Sequence, residues 1–269
     1  MKIIGEKING TLRKVRQAIE ERDSAFIREL ALAQANAGTD WLDINAGTGP
    51  DRELEDLLWL IDCAEAVTDL PLCLDSANPE PLVVAAGRVK KTPMINSISL
   101  EEKKVREILP VVREFGCTVI ALAMDNNGIP QTTENRLQII DRLMEVTGNA
   151  GISAERVYLD PLVMGAATNT ASGAIALETI RTTAERYEGV HFCAGLSNIS
   201  FGLPHRSLIN QAFLTLAISA GLDTAILNPL DRDLRGAILA TELVLGQDRH
   251  CQRYTRAARK GSIGRAALS

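Results

Sequence analysis

A recurrence constrains this chain more than anything else in it: short apolar runs return every 22 to 39 residues, with helix-periodic stretches between them. The runs are Lys2–Ile8, Trp41–Ala46, Pro71–Asp75, Pro93–Ser97, Thr118–Met124, Val157–Pro161, His191–Leu196 and Thr224–Asn228. Each is 5 to 7 residues long and stops at or just before Asn, Asp, Ser, Gly or Pro. Runs of that length without polar alternation suit strands buried on both faces, the condition of a parallel sheet.

The intervening stretches carry the helical period. From Ser24 to Ala37, Phe26, Ile27, Leu30, Leu32, Ala33 and Ala37 form one wide stripe and Gly38 closes it. Ser99 and Glu102 read as a capping box leading into Val105, Ile108, Leu109 and Val112. Leu137, Ile140, Leu143, Met144 and Val146 repeat the stripe, and Ala174–Tyr187, Leu208–Ala220 and Leu234–Leu245 complete the series. Strand and helix alternate eight times, which predicts an α/β fold: a single (β/α)8 TIM barrel spanning residues 1–269. The length of 269 residues fits one such barrel.

Composition removes several function classes. Hydrophobic residues at 46% with 23% charged exclude a disordered chain, and 4% aromatic leaves little for stacking nucleic-acid bases. No apolar run reaches the roughly 20 residues of a membrane helix, and the start, Met1–Lys7, carries charge where a signal peptide needs its apolar core. A cytoplasmic protein without membrane or nucleic-acid partner is expected. The five cysteines form no CxxC pair and the three histidines no metal spacing; most of the cysteines sit in apolar runs, so buried inert thiols there and no bound metal are expected. A carboxylate site for Mg²⁺ or Ca²⁺, which prefer oxygen ligands, is the alternative, and it lacks DxD-type spacing.

Charge is unevenly spread. From Arg249 onward there are six cations and no acid, so a net charge of −5 leaves the first 248 residues at −11. That basic segment reads first as a solvated terminal helix and second as a docking strip for an acidic partner; an acidic body makes nucleic acid the poorest of the three.

In such barrels chemistry sits at the C-terminal ends of the strands. Those ends offer Glu6 and Asn9; Asp43 and Asn45; Asp75 and Asn78; Asn96; Asp125, Asn126 and Asn127; Asp160; Ser197 and Asn198; and Asn228. Carboxylates and carboxamides dominate, without histidine, lysine or cysteine nucleophile, which argues against acyl-enzyme or Schiff-base chemistry. A flat heterocycle with alternating N–H and C=O groups suits such a set, because a carboxylate accepts at two points from a ring N–H and its neighbouring amino group. For Asp43, Asn45 and Asn228, helix capping is an equal alternative. Asp75 and Asp160, directly after apolar strand cores, are read as functional.

Five ordered segments then carry a resemblance: Ile4–Gly10 (Ile-Gly-Glu-Lys-Ile-Asn-Gly), Leu72–Ser76 (Leu-Cys-Leu-Asp-Ser), Met94–Ser97 (Met-Ile-Asn-Ser), Tyr158–Leu162 (Tyr-Leu-Asp-Pro-Leu) and Gly195–Ser200 (Gly-Leu-Ser-Asn-Ile-Ser). Together they resemble the pterin-binding methyltransferases, above all the methyltetrahydrofolate:corrinoid protein methyltransferases, and also the folate domain of cobalamin-dependent methionine synthase. The resemblance implies a pterin-binding TIM barrel that moves a methyl group between N5 of tetrahydrofolate and the cobalt of a corrinoid. It implies that Asp75, Asn96 and Asp160 hold the pyrimidine edge, that Asn198 acts at N5, that Gly195 and Ser197 let the backbone approach, and that Arg206 lies beside the pterin. Phe201 stands where some members carry glutamine, and Asp125-Asn126 departs from the usual pair. No Asp-x-His-x-x-Gly pattern is present, so the cobalamin is expected on a separate corrinoid protein; a homodimer is implied by the family. The competitors are a non-catalytic pterin-binding, corrinoid-docking subunit and a dihydropteroate synthase-like enzyme. The latter would need a Ser-Arg-Lys-type motif where this chain has Ser197-Asn198-Ile199.

Overall fold

A computed structural model describes residues 1–264. Eight parallel strands, β1 (Lys2–Asn9), β2 (Trp41–Asn45), β3 (Leu72–Asp75), β4 (Met94–Ile98), β5 (Thr118–Leu122), β6 (Val157–Asp160), β7 (His191–Gly195) and β8 (Thr224–Leu227), pair in sequence order. The barrel closes where Lys2, Ile3, Ile4 and Gly5 of β1 meet Thr224, Ala225, Ile226 and Leu227 of β8. Around it run α1 (Arg13–Glu21), α2 (Ser24–Asn36), α3 (Pro50–Glu65), α4 (Pro79–Ala86), α5 (Glu102–Glu114), α6 (Thr133–Asn149), α7 (Ser172–Arg186), α8 (Arg206–Ala220), α9 (Arg232–Val244) and α10 (Gln252–Arg259). All eight expected strands are present, and the expected (β/α)8 barrel is the observed one. Among the described residues no helix is long and apolar enough to cross a membrane.

Alternation along each strand splits the core in two. Ile3, Leu42, Leu74, Ile95, Val119, Leu159 and Ala194 face outward and pack under the helices. Ile4, Cys73, Met94, Ile120, Tyr158 and Cys193 face inward and fill the barrel's axis. Cys63, Cys73, Cys117 and Cys193 are buried free thiols, as expected, and Cys251 is exposed.

Three local expectations need correction. The crossover from β1 to β2 holds two helices, not one: α1 buries Val15, Ala18 and Ile19 before α2 begins behind Asp23, whose carboxylate accepts from the Phe26 N–H at 3.1 Å. The capping box at Ser99 does not form. Its hydroxyl donates to Glu101 Oε2 at 2.7 Å, Glu101 is the N-cap, and no side chain caps α5. Asn228 does not cap α9 either; Asp231 does, accepting from the N–H groups of Asp233 and Leu234 at 2.9 and 3.1 Å.

Candidate active site

The upper ends of β1, β2, β3, β7 and β8 enclose a cavity of about 330 Å³, lined by Glu6, Lys7, Asn9, Thr11, Leu12, Asp43, Asp75, Gly195, Ser197, Asn198 and Ile226. A larger concavity of about 640 Å³ lies outside the barrel between the C-terminal ends of α2 and α3. Only the first gathers strand-end residues, so chemistry rather than size selects it.

Of the residues singled out from sequence, Glu6, Asn9, Asp43, Asp75, Gly195, Ser197 and Asn198 line the cavity, while Asn96, Asp160 and Arg206 are not part of its lining. Strand register assembles the first part. Asn45 pairs with Asp75 and Asp75 with Asn96, so three polar side chains sit level across β2, β3 and β4. Asn45 Nδ2 donates to Asp75 Oδ2 at 2.7 Å, which gives Asn45 a partner across the sheet rather than a capping role. Burial raises the Asp75 carboxyl above the usual carboxylate range; the Asn45 bond and then the Lys104 ammonium oppose the rise, and Glu53 adds to it.

Asp43 is the main residue that sequence reading undervalued. It sits 2% exposed among the inward side chains, between the strand ends and the apolar axis. Burial drives its carboxyl well above the usual range, the neighbouring Asp75 drives it further, and the Cys73 thiol and Asn96 carboxamide approach it and pull the other way. Its Oδ1 has no hydrogen-bond partner in the protein. Burial and Asp75 together raise Asp43, whereas the Asn45 bond and Lys104 hold Asp75 back, the unequal pattern expected where two carboxyls share one dry site. Its inward direction follows from the two-residue period through Trp41 and Asn45.

Asp160 is 9% exposed, and burial pushes it up to about 6 against the Leu162 N–H and the Arg136 guanidinium. Its Oδ1 accepts from that N–H at 2.7 Å, pinning Leu162 at φ +61°, a region costly for a branched residue. Arg136, buried on α6, donates to the carbonyls of Pro130 at 3.1 Å and Leu162 at 2.8 Å, and so fixes the turn after β6 from behind. Glu6 is raised by burial, with Lys7 and then Arg206 opposing.

After β7 the chain enters a 3₁₀ turn, Leu196–Ser200. A Cβ at residue 195 would lie 3.0 Å from Asn198 Nδ2, so glycine is what lets that carboxamide fold back over the strand end. Arg206, at the start of α8, donates to the Ser197 carbonyl at 2.7 Å and Ser200 Oγ at 2.9 Å, and its guanidinium lies 5.9 Å from the Phe201 ring centre. It braces the turn that carries Asn198. Lys104, 9% exposed on α5, escaped sequence reading because a long side chain reaches the mouth from beyond any strand end. Burial lowers its ammonium, opposed by Glu101 and Asp75.

The sequence matches the pterin binding enzyme family over residues 5–228. This chain is a member of the pterin-binding enzymes. This pterin-binding enzyme is 42% identical over 266 residues to the methylcorrinoid:tetrahydrofolate methyltransferase of Eubacterium limosum, an alignment covering 98% of each protein. It is 30% identical over 239 residues to methionine synthase of Mycobacterium leprae (strain TN), covering 84% of this chain and 20% of that longer protein. Among solved structures, dihydropteroate synthase from Xanthomonas albilineans in complex with 7,8-dihydropteroate superposes with a TM-score of 0.68 at 22% identity, over 91% of this chain and 92% of that one. At that identity the likeness speaks for the barrel alone. The cavity of this pterin-binding enzyme therefore lies where its fold concentrates chemistry, with acceptors and carboxamides as its working groups.

Proposed function

We propose that this enzyme is a methyltransferase that moves a methyl group between N5 of tetrahydrofolate and the cobalt of a corrinoid carried by a partner protein. The observation that carries the reading is the mouth itself: the Asp75 and Asp43 carboxyls and the Asn96 carboxamide gathered at neighbouring strand ends, with Asn198 lining the same cavity as the two acids. The near full-length identity to the Eubacterium limosum enzyme supports the same reaction, and that enzyme's name gives the direction from methylcorrinoid to tetrahydrofolate.

In this reading Asp75, Asn96 and Asp160 hold the pyrimidine edge. The charge on Asp75 accepts from the ring N–H and the exocyclic amine together, a charge-assisted pair stronger than neutral contacts. The unpartnered Oδ1 of Asp43 marks a polar position that a ligand group or a water completes. The backbone of Gly195 and Ser197 comes close to the ligand, and Arg206 keeps the turn in place. N5 gives up its methyl group readily only once protonated, because breaking the bond to carbon returns the electron pair to nitrogen; in the other direction the lone pair of neutral N5 attacks the methyl group, its bond to cobalt breaks, and the N5 cation so formed then loses its proton. Asn198, a neutral amide, stabilises the protonated N5 through its carbonyl oxygen while the proton itself exchanges with water. The corrinoid supplies the cobalt centre that gives or takes the methyl group; this chain supplies orientation and a preorganised field. We take residues 1–269 as one domain, with the final basic segment beginning near 249 and Arg265 in it outside the described residues. A homodimer suits the outer face of α8, where Leu208 and Leu216 are exposed and no residue from Ser207 to Ala220 is charged.

Two anaerobic cuvettes test the proposal, one with methylcobalamin and tetrahydrofolate, the other with methyltetrahydrofolate and cob(I)alamin. Enzyme-dependent interconversion of the cobalamin spectra is expected, fastest in the first. Tight tetrahydrofolate binding with no turnover in either cuvette, and none with a corrinoid protein added, would make the chain a binding subunit.

A further inference from the structure

We infer that α10 and its flanks form a docking strip for an acidic protein surface, that of the corrinoid-bearing partner; this rests on the methyltransferase reading. The helix buries no residue, yet it is not a loose end. Asp248 accepts from the N–H groups of Arg253 and Tyr254 at 2.9 Å each, and Arg253 pairs with buried Glu242 at 2.9 Å. Beyond the helix, Arg232 donates to the Gly261 carbonyl, and Ile263 lies 3.8 Å from where a Cβ on Gly236 would be. A segment tied down at four points, whose helix still buries no residue, is built to present its surface.

What it presents is unspent positive charge. Arg253 is engaged, whereas Arg249, Arg256, Arg259 and Lys260 have no ion-pair partner among the described residues. Gln252, Thr255, Arg256 and Arg259 share one helical face by their spacing. With His250 and Lys260 they border a concavity of about 520 Å³. The first 248 residues carry −11, so an acidic partner is repelled by the body and drawn to this strip, which orients the encounter. Its place is also right. Arg232 opens α9 directly above the end of β8, and its bond to Gly261 brings the strip's far end level with the mouth of the barrel. A protein covering the mouth reaches the strip at the β8 side.

The test is the triple charge reversal Arg256→Glu, Arg259→Glu, Lys260→Glu, assayed with free methylcobalamin and with methylcobalamin on a carrier corrinoid protein that the parent enzyme turns over. With the carrier, KM should rise about ten-fold or more, and the parent's loss of carrier affinity between low salt and 0.5 M NaCl should largely vanish. With free methylcobalamin kcat/KM should be unchanged, as should tetrahydrofolate affinity and the melting temperature. An unchanged carrier KM, or an equal loss with free methylcobalamin, overturns the strip. So does a shift in oligomeric state by light scattering, which would assign it to a second copy of this chain. Failure of the methyltransferase reading shows separately, as an absence of turnover by the parent; direct titration of carrier against the two proteins still decides the strip.

Discussion

At the floor of the barrel Lys2 donates to the Tyr158 hydroxyl at 3.1 Å and lies over the Trp41 ring, while His191 stacks on Tyr158 at 4.6 Å and reaches Asp223. One inward step up the same strands stand Asp43 above Trp41 and Asp160 above Tyr158; two steps up stand Glu6 above Lys2 and Gly195 above His191. Both ends place polar groups against the same apolar axis, yet they are finished differently. The floor pairs a cation with π-faces and a hydroxyl, and an imidazole with a carboxylate, so its groups satisfy one another. The mouth sets carboxyls beside carboxyls, leaves a buried oxygen of Asp43 without a partner and raises Glu6, Asp43, Asp75 and Asp160 by burial. A closed network supports the fold, whereas an incomplete one awaits a ligand that supplies the missing donors.

The sharpest way to break this contrast is Asn198→Ala. Methyl transfer should slow about 10²- to 10³-fold, the usual cost of removing one contact to developing charge, while tetrahydrofolate affinity moves less than about three-fold. Single-turnover spectroscopy beside a binding titration separates the two. An affinity loss as large as the rate loss would make Asn198 a structural or binding group, like those of the floor.

Asp160→Asn comes next, and pH gives it a sign. The Asp160 carboxyl is raised from 3.8 to about 6 in the fold, so between those values the folded protein holds a proton that the unfolded chain releases. Stability therefore falls as pH rises through this window, and the whole cost, on the order of 3 kcal/mol at 1.36 per pH unit, persists above it. Asparagine cannot ionise and keeps an acceptor for the Leu162 N–H. The variant should be the more stable protein at pH 8, with its advantage roughly halved by pH 5 and small at pH 4. Denaturation at these three values checks it, and an advantage independent of pH would refute the burial argument for the mouth.

Asp75→Asn should weaken tetrahydrofolate binding about 10- to 100-fold, because an amide offers the ligand's N–H groups a donor where they need a charged acceptor. Asp43→Asn, at the carboxyl that burial and Asp75 raise further, should change affinity by no more than about three-fold. Equal losses from the two would show that both carboxyls ionise, against the placement of the charge on Asp75.

The sequence showed one end of this comparison better than the other. Eight strands were legible because each is buried on both faces and so reads as an unbroken apolar run. Asp75 and Asp160 stood out because each directly follows such a run. Asp43 did not, since it lies inside its run, where a lone acid between Leu42 and Ile44 looks like a capping residue until register turns it inward. Lys104 and Arg136 were invisible for another reason: they act from helices, and helix spacing does not reveal how far a long side chain reaches into a mouth. The floor left no motif at all. Lys2, Trp41, Tyr158 and His191 are brought together by barrel closure alone, from strands up to 189 residues apart in the chain.

That floor yields the smallest effect and the control for the rest. Tyr158→Phe keeps the ring against His191 and Trp41 and removes only the oxygen that accepts from Lys2. The loss should be about 1 kcal/mol, the net worth of one such bond, which lowers Tm by about 2–4 °C for a domain of this size. Because Asp160 is the next inward position on β6, this variant also asks whether strain at the floor reaches the mouth. Close packing of Ile4, Cys73, Met94 and Cys193 between the two ends argues that it does not: the apolar layer fixes each strand independently of the bond below it. Turnover and tetrahydrofolate affinity should therefore match the parent within error while the melt shifts. A fall in kcat with the melt unchanged would mean that the two ends act as one network, and the division between a finished floor and an unfinished mouth would have to be given up.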